Sequence, residues 1–135
     1  MHSGTAAPRP GDPYLLIVDD EPGVLEVARL MAATLGWNPV LANSAEHALA
    51  LVRDHVRELD HVLVDLHLRG SSGLELARGL RKLNPDLHLA VMTGDDVPAG
   101  RPLGEPGLVD AVLVKPFTVT DLDLVFAPLS RARAA

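Results

Sequence analysis

Short apolar runs recur along the chain with longer, helically patterned stretches between them, and this rhythm limits what the chain can fold into. The first run, Tyr14–Val18 (YLLIV), is continuous rather than alternating. A strand with one wet face alternates apolar and polar residues, whereas a strand covered on both faces does not. Further runs at Pro39–Ala42, His61–Val64, Leu87–Met92 and Ala111–Val114 predict four more strands. Strands separated by helices cannot be joined by tight hairpins, so the pattern predicts an α/β fold with a doubly wound, five-stranded parallel sheet and helices on both faces.

The intervening stretches carry helix signals. Pro22 suits a first turn, and Val24, Leu25, Val27, Ala28, Met31 and Leu35 supply an apolar stripe that Gly36 ends. Ser44 caps a second helix through about Val56, with Ala45, Ala48, Leu49 and Val52 facing inward. Ser72 and Glu75 have capping-box spacing and open a third helix to about Leu83, which Asn84-Pro85 ends. Thr118–Asp121 opens a last helix, with Leu122, Val125 and Leu129 at helical spacing. One crossing breaks the rhythm. Asp95–Gly107 (DDVPAGRPLGEPG) holds Pro98, Pro102 and Pro106. An interior proline costs a helix about 3 kcal/mol, so the crossing is expected to be irregular or without a helix.

Composition excludes several function classes. The chain has 135 residues and 47% hydrophobic content, which suits one domain with a real core. Residues 1–13 read as an N-terminal tail without the apolar centre of a signal peptide, 14–130 as the domain, and 131–135 as a C-terminal tail. No cysteine is present, so disulfides, zinc thiolates and cysteine nucleophiles are excluded, and a reducing cytoplasm fits. No run approaches a membrane span. A net charge of −6 without a basic stripe repels phosphate backbones, and 3% aromatic residues give no base-stacking platform. Neither nucleic acid nor membrane is expected as a partner. The six histidines show no close metal-binding pair, and Trp37 reads as a packing residue at a helix–strand corner.

In a doubly wound sheet, function gathers beyond the carboxyl ends of the strands. Those ends carry Asp19-Asp20 after the first strand, Asp65 after the third, Thr93 after the fourth and Lys115 after the fifth. Carboxylates that converge in a partly desolvated cleft resist joint ionisation. A hard divalent cation such as Mg²⁺ resolves this, because it takes carboxylate oxygens and keeps several waters. A lysine and a hydroxyl facing the same point fit a phosphoryl group. Asp65 is then the natural nucleophile for an aspartyl phosphate, with Asp19 and Asp20 holding the metal. Taken singly, each of these residues also has a bland reading as a solvated loop acid, a helix cap or a surface lysine.

The set VDDEP, VLVDLHLRGSSGLEL, VMTGDD and VLVKPFT, in this order, resembles the receiver domain of two-component response regulators, from about Leu15 onward. The resemblance implies a CheY-like fold with strand order 2-1-3-4-5. It also implies phosphoryl transfer to Asp65 from a histidine kinase or histidine phosphotransfer protein, and a possible downstream target. It assigns Mg²⁺ to Asp20, Asp65 and the backbone carbonyl of His67, with Asp19 acting through water. Thr93 and Lys115 would contact the phosphoryl group, and the Lys115-Pro116 bond would be cis. Such a domain assists its own phosphorylation and dephosphorylation and is not a turnover enzyme. His67 and Asp95 stand where residues influence phosphoryl lifetime.

Three positions depart from that family's pattern. Val112 replaces the aromatic residue common three positions before the lysine, Arg69 replaces a frequent proline, and Asp95–Gly107 occupies the place of the fourth helix. Contacts with partners are therefore expected on the first-helix side and the last helix. A haloacid-dehalogenase-type phosphatase would need an acid where His67 stands. A flavodoxin-like carrier would not place Asp-Asp-Glu beside a cofactor phosphate. The chain is expected to act without an output domain, as a monomer or weak dimer. The alternatives are a receiver from a hybrid histidine kinase and a degenerate receiver used for docking.

Overall fold

The computed structural model describes residues 13–94 and 103–134. It runs β1 (Tyr14–Val18), α1 (Pro22–Thr34), β2 (Asn38–Ala42), α2 (Ala45–Asp54), β3 (His61–Asp65), β4 (His67–Leu68), β5 (Ser71–Ser72), α3 (Gly73–Leu83), β6 (His88–Thr93), β7 (Ala111–Val114) and α4 (Val119–Ala134). The main sheet is parallel, in the order β2-β1-β3-β6-β7. This is the predicted doubly wound arrangement.

The continuous apolar runs are explained by two cores. Leu16, Val18, Val62, Val64, Leu89 and Val91 face α2, α3 and Leu108 on one side of the sheet. Leu15, Ile17, Leu63, Ala90, Met92 and Leu113 face α1 and α4 on the other. Successive residues of a strand point to opposite faces, so a strand sandwiched between two helical layers is apolar at every position. Trp37 is buried and packs against His61 and Phe126, with ring centroids 5.0 and 6.0 Å away.

Local signals account for most boundaries. Pro22 begins α1, and Gly36 follows it with φ +93°, a conformation that favours glycine. The Ser44 hydroxyl accepts the His47 N–H at 3.1 Å, and the Ser72 hydroxyl accepts the Glu75 N–H at 3.0 Å. On α1 the buried positions are Leu25, Ala28 and Ala32. Val27, expected inside, lies 54% exposed beside Leu30 at 52%. α4 continues through Pro128 to Ala134, so residues 131–134 are helical rather than a tail. Nothing in Ser-Arg-Ala-Arg-Ala breaks a helix, and arginines suit its C-terminal end. After Asp65 the chain forms the small antiparallel ladder β4–β5.

Of the crossing between β6 and β7, residues 95–102, Asp95 among them, lie outside the described residues, as does the tail through residue 12. Residues 103–110 form turns and bends, with Gly104 and Gly107 at φ +68° and +84°. Leu108 inserts into the core beside α3. Arg81 of α3 ties this segment down. Its Nε donates to the Leu108 carbonyl at 3.1 Å, its Nη1 to the Leu87 carbonyl, and its Nη2 to Asp110 at 2.9 Å. Asp110 in turn accepts the Leu89 N–H at 2.8 Å. Arg78 forms a two-nitrogen pair with Glu105 in the open.

The two arginines therefore differ in weight. Replacing Arg81 removes its hydrogen bonds to the Leu87 and Leu108 carbonyls and to Asp110, which join two segments. Arg81→Met is expected to lower stability by about 2–3 kcal/mol in urea unfolding. Arg78→Met, which breaks a solvated pair, is expected to change the midpoint far less.

Candidate functional site

The register of the sheet builds the site. Val18 pairs with Val64, so Asp19 and Asp65, the next residues of each chain, emerge side by side. Asp65 pairs with Met92, and Thr93 with Val114, which places Thr93 and Lys115 one step further along the rim. The Lys115 N–H donates to the Thr93 carbonyl at 2.7 Å, locking these two main chains together. The Lys115-Pro116 peptide is cis.

Asp19, Asp20 and Asp65 each offer a carboxylate oxygen within 4.8 Å of the others. Asp19 is fully buried, Asp65 is 5% exposed, and Asp20 is partly open. Lys115 reaches in between them, with Nζ 3.1 Å from Asp19 Oδ2 and 3.4 Å from Asp65 Oδ1. The other Asp19 oxygen accepts the Glu21 N–H at 2.9 Å. Glu21 itself makes no side-chain cap on α1. The His67 N–H points at Asp65 Oδ1 from 3.3 Å, and the Arg69 N–H donates to Asp20 Oδ2 at 2.9 Å. Thr93 is buried at the end of β6. The six residues singled out from the sequence, Asp19, Asp20, Asp65, His67, Thr93 and Lys115, thus fall on one rim.

Electrostatics separate their roles. Burial pushes the Asp65 carboxyl above the usual carboxylate range, and the charge of Asp19 adds to that. Lys115 and the His67 N–H act in the opposite direction without cancelling it. For Lys115, burial works to lower the ammonium, but the hydrogen bond and charge of Asp19, with Asp65, hold it above its ordinary value. A compact group of oxygens with a cation beside it suits a small hard divalent ion, which prefers carboxylate and carbonyl oxygen. The donor set fits Mg²⁺ in kind: three carboxylates, two of them buried, and no soft ligand.

Two features of the site were not visible in the sequence. Gly73 packs directly under the Asp65 peptide; a Cβ there would stand 2.3 Å from the Asp65 carbonyl oxygen and 2.8 Å from Leu66 Cα. Its N–H donates to the Leu66 carbonyl at 2.8 Å. In the sequence it looks like an ordinary second member of the Ser72–Glu75 cap. Arg69 is the other, since its contact with Asp20 spans 49 positions.

A raised Asp65 carboxyl binds its proton more readily in the folded than in the unfolded chain. That contribution to stability is complete below the ordinary carboxyl range and is lost as pH rises through the folded value. Without divalent cation, Asp65→Asn is therefore expected to raise Tm by a few degrees at neutral pH, with the gain fading on acidification. Thermal unfolding followed by circular dichroism across pH checks this. Gly73→Ala, which must displace backbone, is expected to be destabilising at every pH.

Comparison with known proteins accords with this geometry. The family model described as the response regulator receiver domain matches residues 15–126. The chain is 32% identical over 117 residues to the probable transcriptional regulatory protein TcrX of Mycobacterium tuberculosis, covering 87% of this chain and 49% of that protein. It is 34% identical over 100 residues to the two-component response regulator ARR2 of Arabidopsis thaliana, covering 70% of this chain and 15% of that one. The chain thus spans about half the length of the mycobacterial relatives it matches. Among solved structures, a sensor protein from Polaromonas superimposes with a TM-score of 0.78 at 27% identity, covering 90% of this chain and 98% of that one. The response regulator TrrA of Thermotoga maritima, solved with Mg²⁺ and BeF, gives 0.73 at 26% identity, covering 87% and 98%. With matched residues running from β1 into α4 and the acidic cleft in place at the strand ends, the chain belongs to the response regulator receiver domains.

Proposed function

We propose that this domain accepts a phosphoryl group on Asp65 from phosphohistidine of a histidine kinase or phosphotransfer protein, in a Mg²⁺-dependent step. The observation that carries the reading is the Lys115 ammonium set between Asp19 and Asp65, beside three carboxylates within 4.8 Å. In the transfer, an Asp65 oxygen forms a bond to phosphorus as the P–N bond to the donor imidazole breaks, and that ring leaves with the electron pair. Lys115 neutralises charge on the transferring oxygens, and the Thr93 hydroxyl binds one of them. Asp20, Asp65 and the His67 carbonyl would hold Mg²⁺, with Asp19 acting through water. The ion, when bound, supplies charge neutralisation at the phosphoryl oxygens. The domain acts on itself rather than turning over an external substrate.

Partner contact is assigned to α1 and the start of α4. A mainly apolar groove of about 430 Å³ runs between α1 and the loop that leads into α4, lined by Val24, Val27, Met31, Lys115, Pro116 and Phe117. Val27 of this lining is 54% exposed. No helix among the described residues is long and apolar enough to cross a membrane, and a cytoplasmic site of action is part of the proposal. The expectation of a domain without an output module gains no support from relatives about twice its length. A second reading, a receiver module of a longer sensor, is favoured by the likeness to the Polaromonas sensor protein.

With acetyl phosphate and Mg²⁺, the wild-type chain is expected to gain one phosphoryl group by intact-mass measurement, and Asp65→Asn none. Asp20→Asn is expected to bind Mg²⁺ about tenfold more weakly or worse. Normal Mg²⁺-dependent uptake in Asp65→Asn would refute the assignment.

A further inference from the structure

Asp20 is engaged from across the cleft by a residue that phosphoryl transfer does not call for. The Arg69 N–H donates to Asp20 Oδ2 at 2.9 Å, and the Arg69 Nε lies 3.7 Å from the same oxygen. The main-chain donor is fixed, because the flanking β4–β5 ladder pairs His67 with Ser72 and Leu68 with Ser71. The guanidinium is not fixed in this way. Its side chain is 91% exposed, while the Asp20 side chain is 17% exposed.

The two cations of the cleft thus serve different carboxylates. Lys115 lies between Asp19 and Asp65, on the partly buried side. Arg69 stands instead beside Asp20, the most exposed of the three carboxylates. A guanidinium that is already hydrated loses little on swinging away, whereas the lysine would leave two buried carboxylates uncompensated.

We propose that the Arg69 guanidinium is a displaceable counter-ion of Asp20, which competes with the divalent cation and sets the affinity of the cleft for it. Metal and guanidinium exclude each other at the open face of Asp20, and binding requires Arg69 to swing out. The inference rests on the metal reading above and assigns Arg69 a positioning role exerted through Asp20. It also gives meaning to the departure at this position: an arginine in place of the frequent proline makes the resting site less avid for metal.

The test is titration of the full chain with MgCl₂, followed by calorimetry and by the amide shifts of Asp20, Asp65 and Arg69. Arg69→Ala is expected to bind Mg²⁺ roughly threefold more tightly, in line with the worth of an exposed ion pair. Arg69→Glu is expected to bind more tightly still, and Arg69→Lys close to wild type. The differences are expected to collapse in about 1 M KCl, where screening acts within about 3 Å. A purely structural Arg69 would give weaker binding on truncation and no dependence on salt, which overturns the proposal. Equal affinities for wild type, Arg69→Ala and Arg69→Glu overturn it too, while leaving the metal site intact. A wild-type chain with no Mg²⁺-dependent shift at Asp20 or Asp65 overturns the metal reading beneath it.

Discussion

Three carboxylates with oxygens within 4.8 Å repel one another, and much of the surrounding architecture limits that repulsion. Asp19 is buried only because both its oxygens are engaged, one by Lys115 and the other by the Glu21 N–H. Asp65 keeps a carboxyl pushed upward by burial despite the same lysine. Asp20 leans on Arg69. Each positive group comes from a different strand end or loop, so the site exists only when β1, β3, β6 and β7 are in register. The sheet fixes the positions of the charges. Under the proposed function, carboxylates held close in a rigid frame would favour a cation, and a phosphoryl group after it.

Much of this arrangement was legible in the sequence. Tyr14–Val18 could be read as doubly covered because it lacks alternation, and the two cores bear this out residue by residue. Asp19, Asp20, Asp65, Thr93 and Lys115 could be grouped because parallel strands deliver all their carboxyl ends to one rim. The caps at Ser44 and Ser72 are local chemistry, encoded within three residues. What was hidden depends on distance along the chain or on small rotations. The Arg69–Asp20 contact is tertiary. Val27 and Ala32 exchange places because an apolar stripe wider than one helix face leaves the buried edge undecided. α4 runs on to Ala134, past the boundary drawn at 131. The two-residue strands β4 and β5 carry no periodic signal at all.

The irregular crossing shows how a segment without helical propensity still becomes part of a domain. Residues 103–110 have no repeating hydrogen-bond ladder of their own. They borrow partners from α3, through Arg81 on Leu108 and Asp110 and through Arg78 on Glu105, and they bury Leu108. Arg81 therefore does for this strap part of what backbone hydrogen bonds do for a helix, at the far end of the molecule from the carboxylates. The cleft and the strap share β6. His88–Thr93 begins next to Asp110 and ends in Thr93.

That shared strand bears on how occupancy of the cleft reaches the surface. Val112 lies partly buried against the α2–α3 core and has neither ring nor polar tip to move between inner and outer positions. The Thr93 carbonyl, however, accepts the Lys115 N–H, and Lys115 leads through Pro116 and Phe117 to the cap where Thr118 and Asp121 bond reciprocally at 2.9 and 3.1 Å. The main chain thus links Thr93 to the N-terminus of α4 and to the groove beside α1. An aromatic switch would report on the outer face of β7. A main-chain linkage leads instead toward the face where Val27 and Phe117 line the groove. Under the proposed function, a partner seated in that groove would touch the same loop, Lys115 to Phe117, that closes the carboxylate cleft.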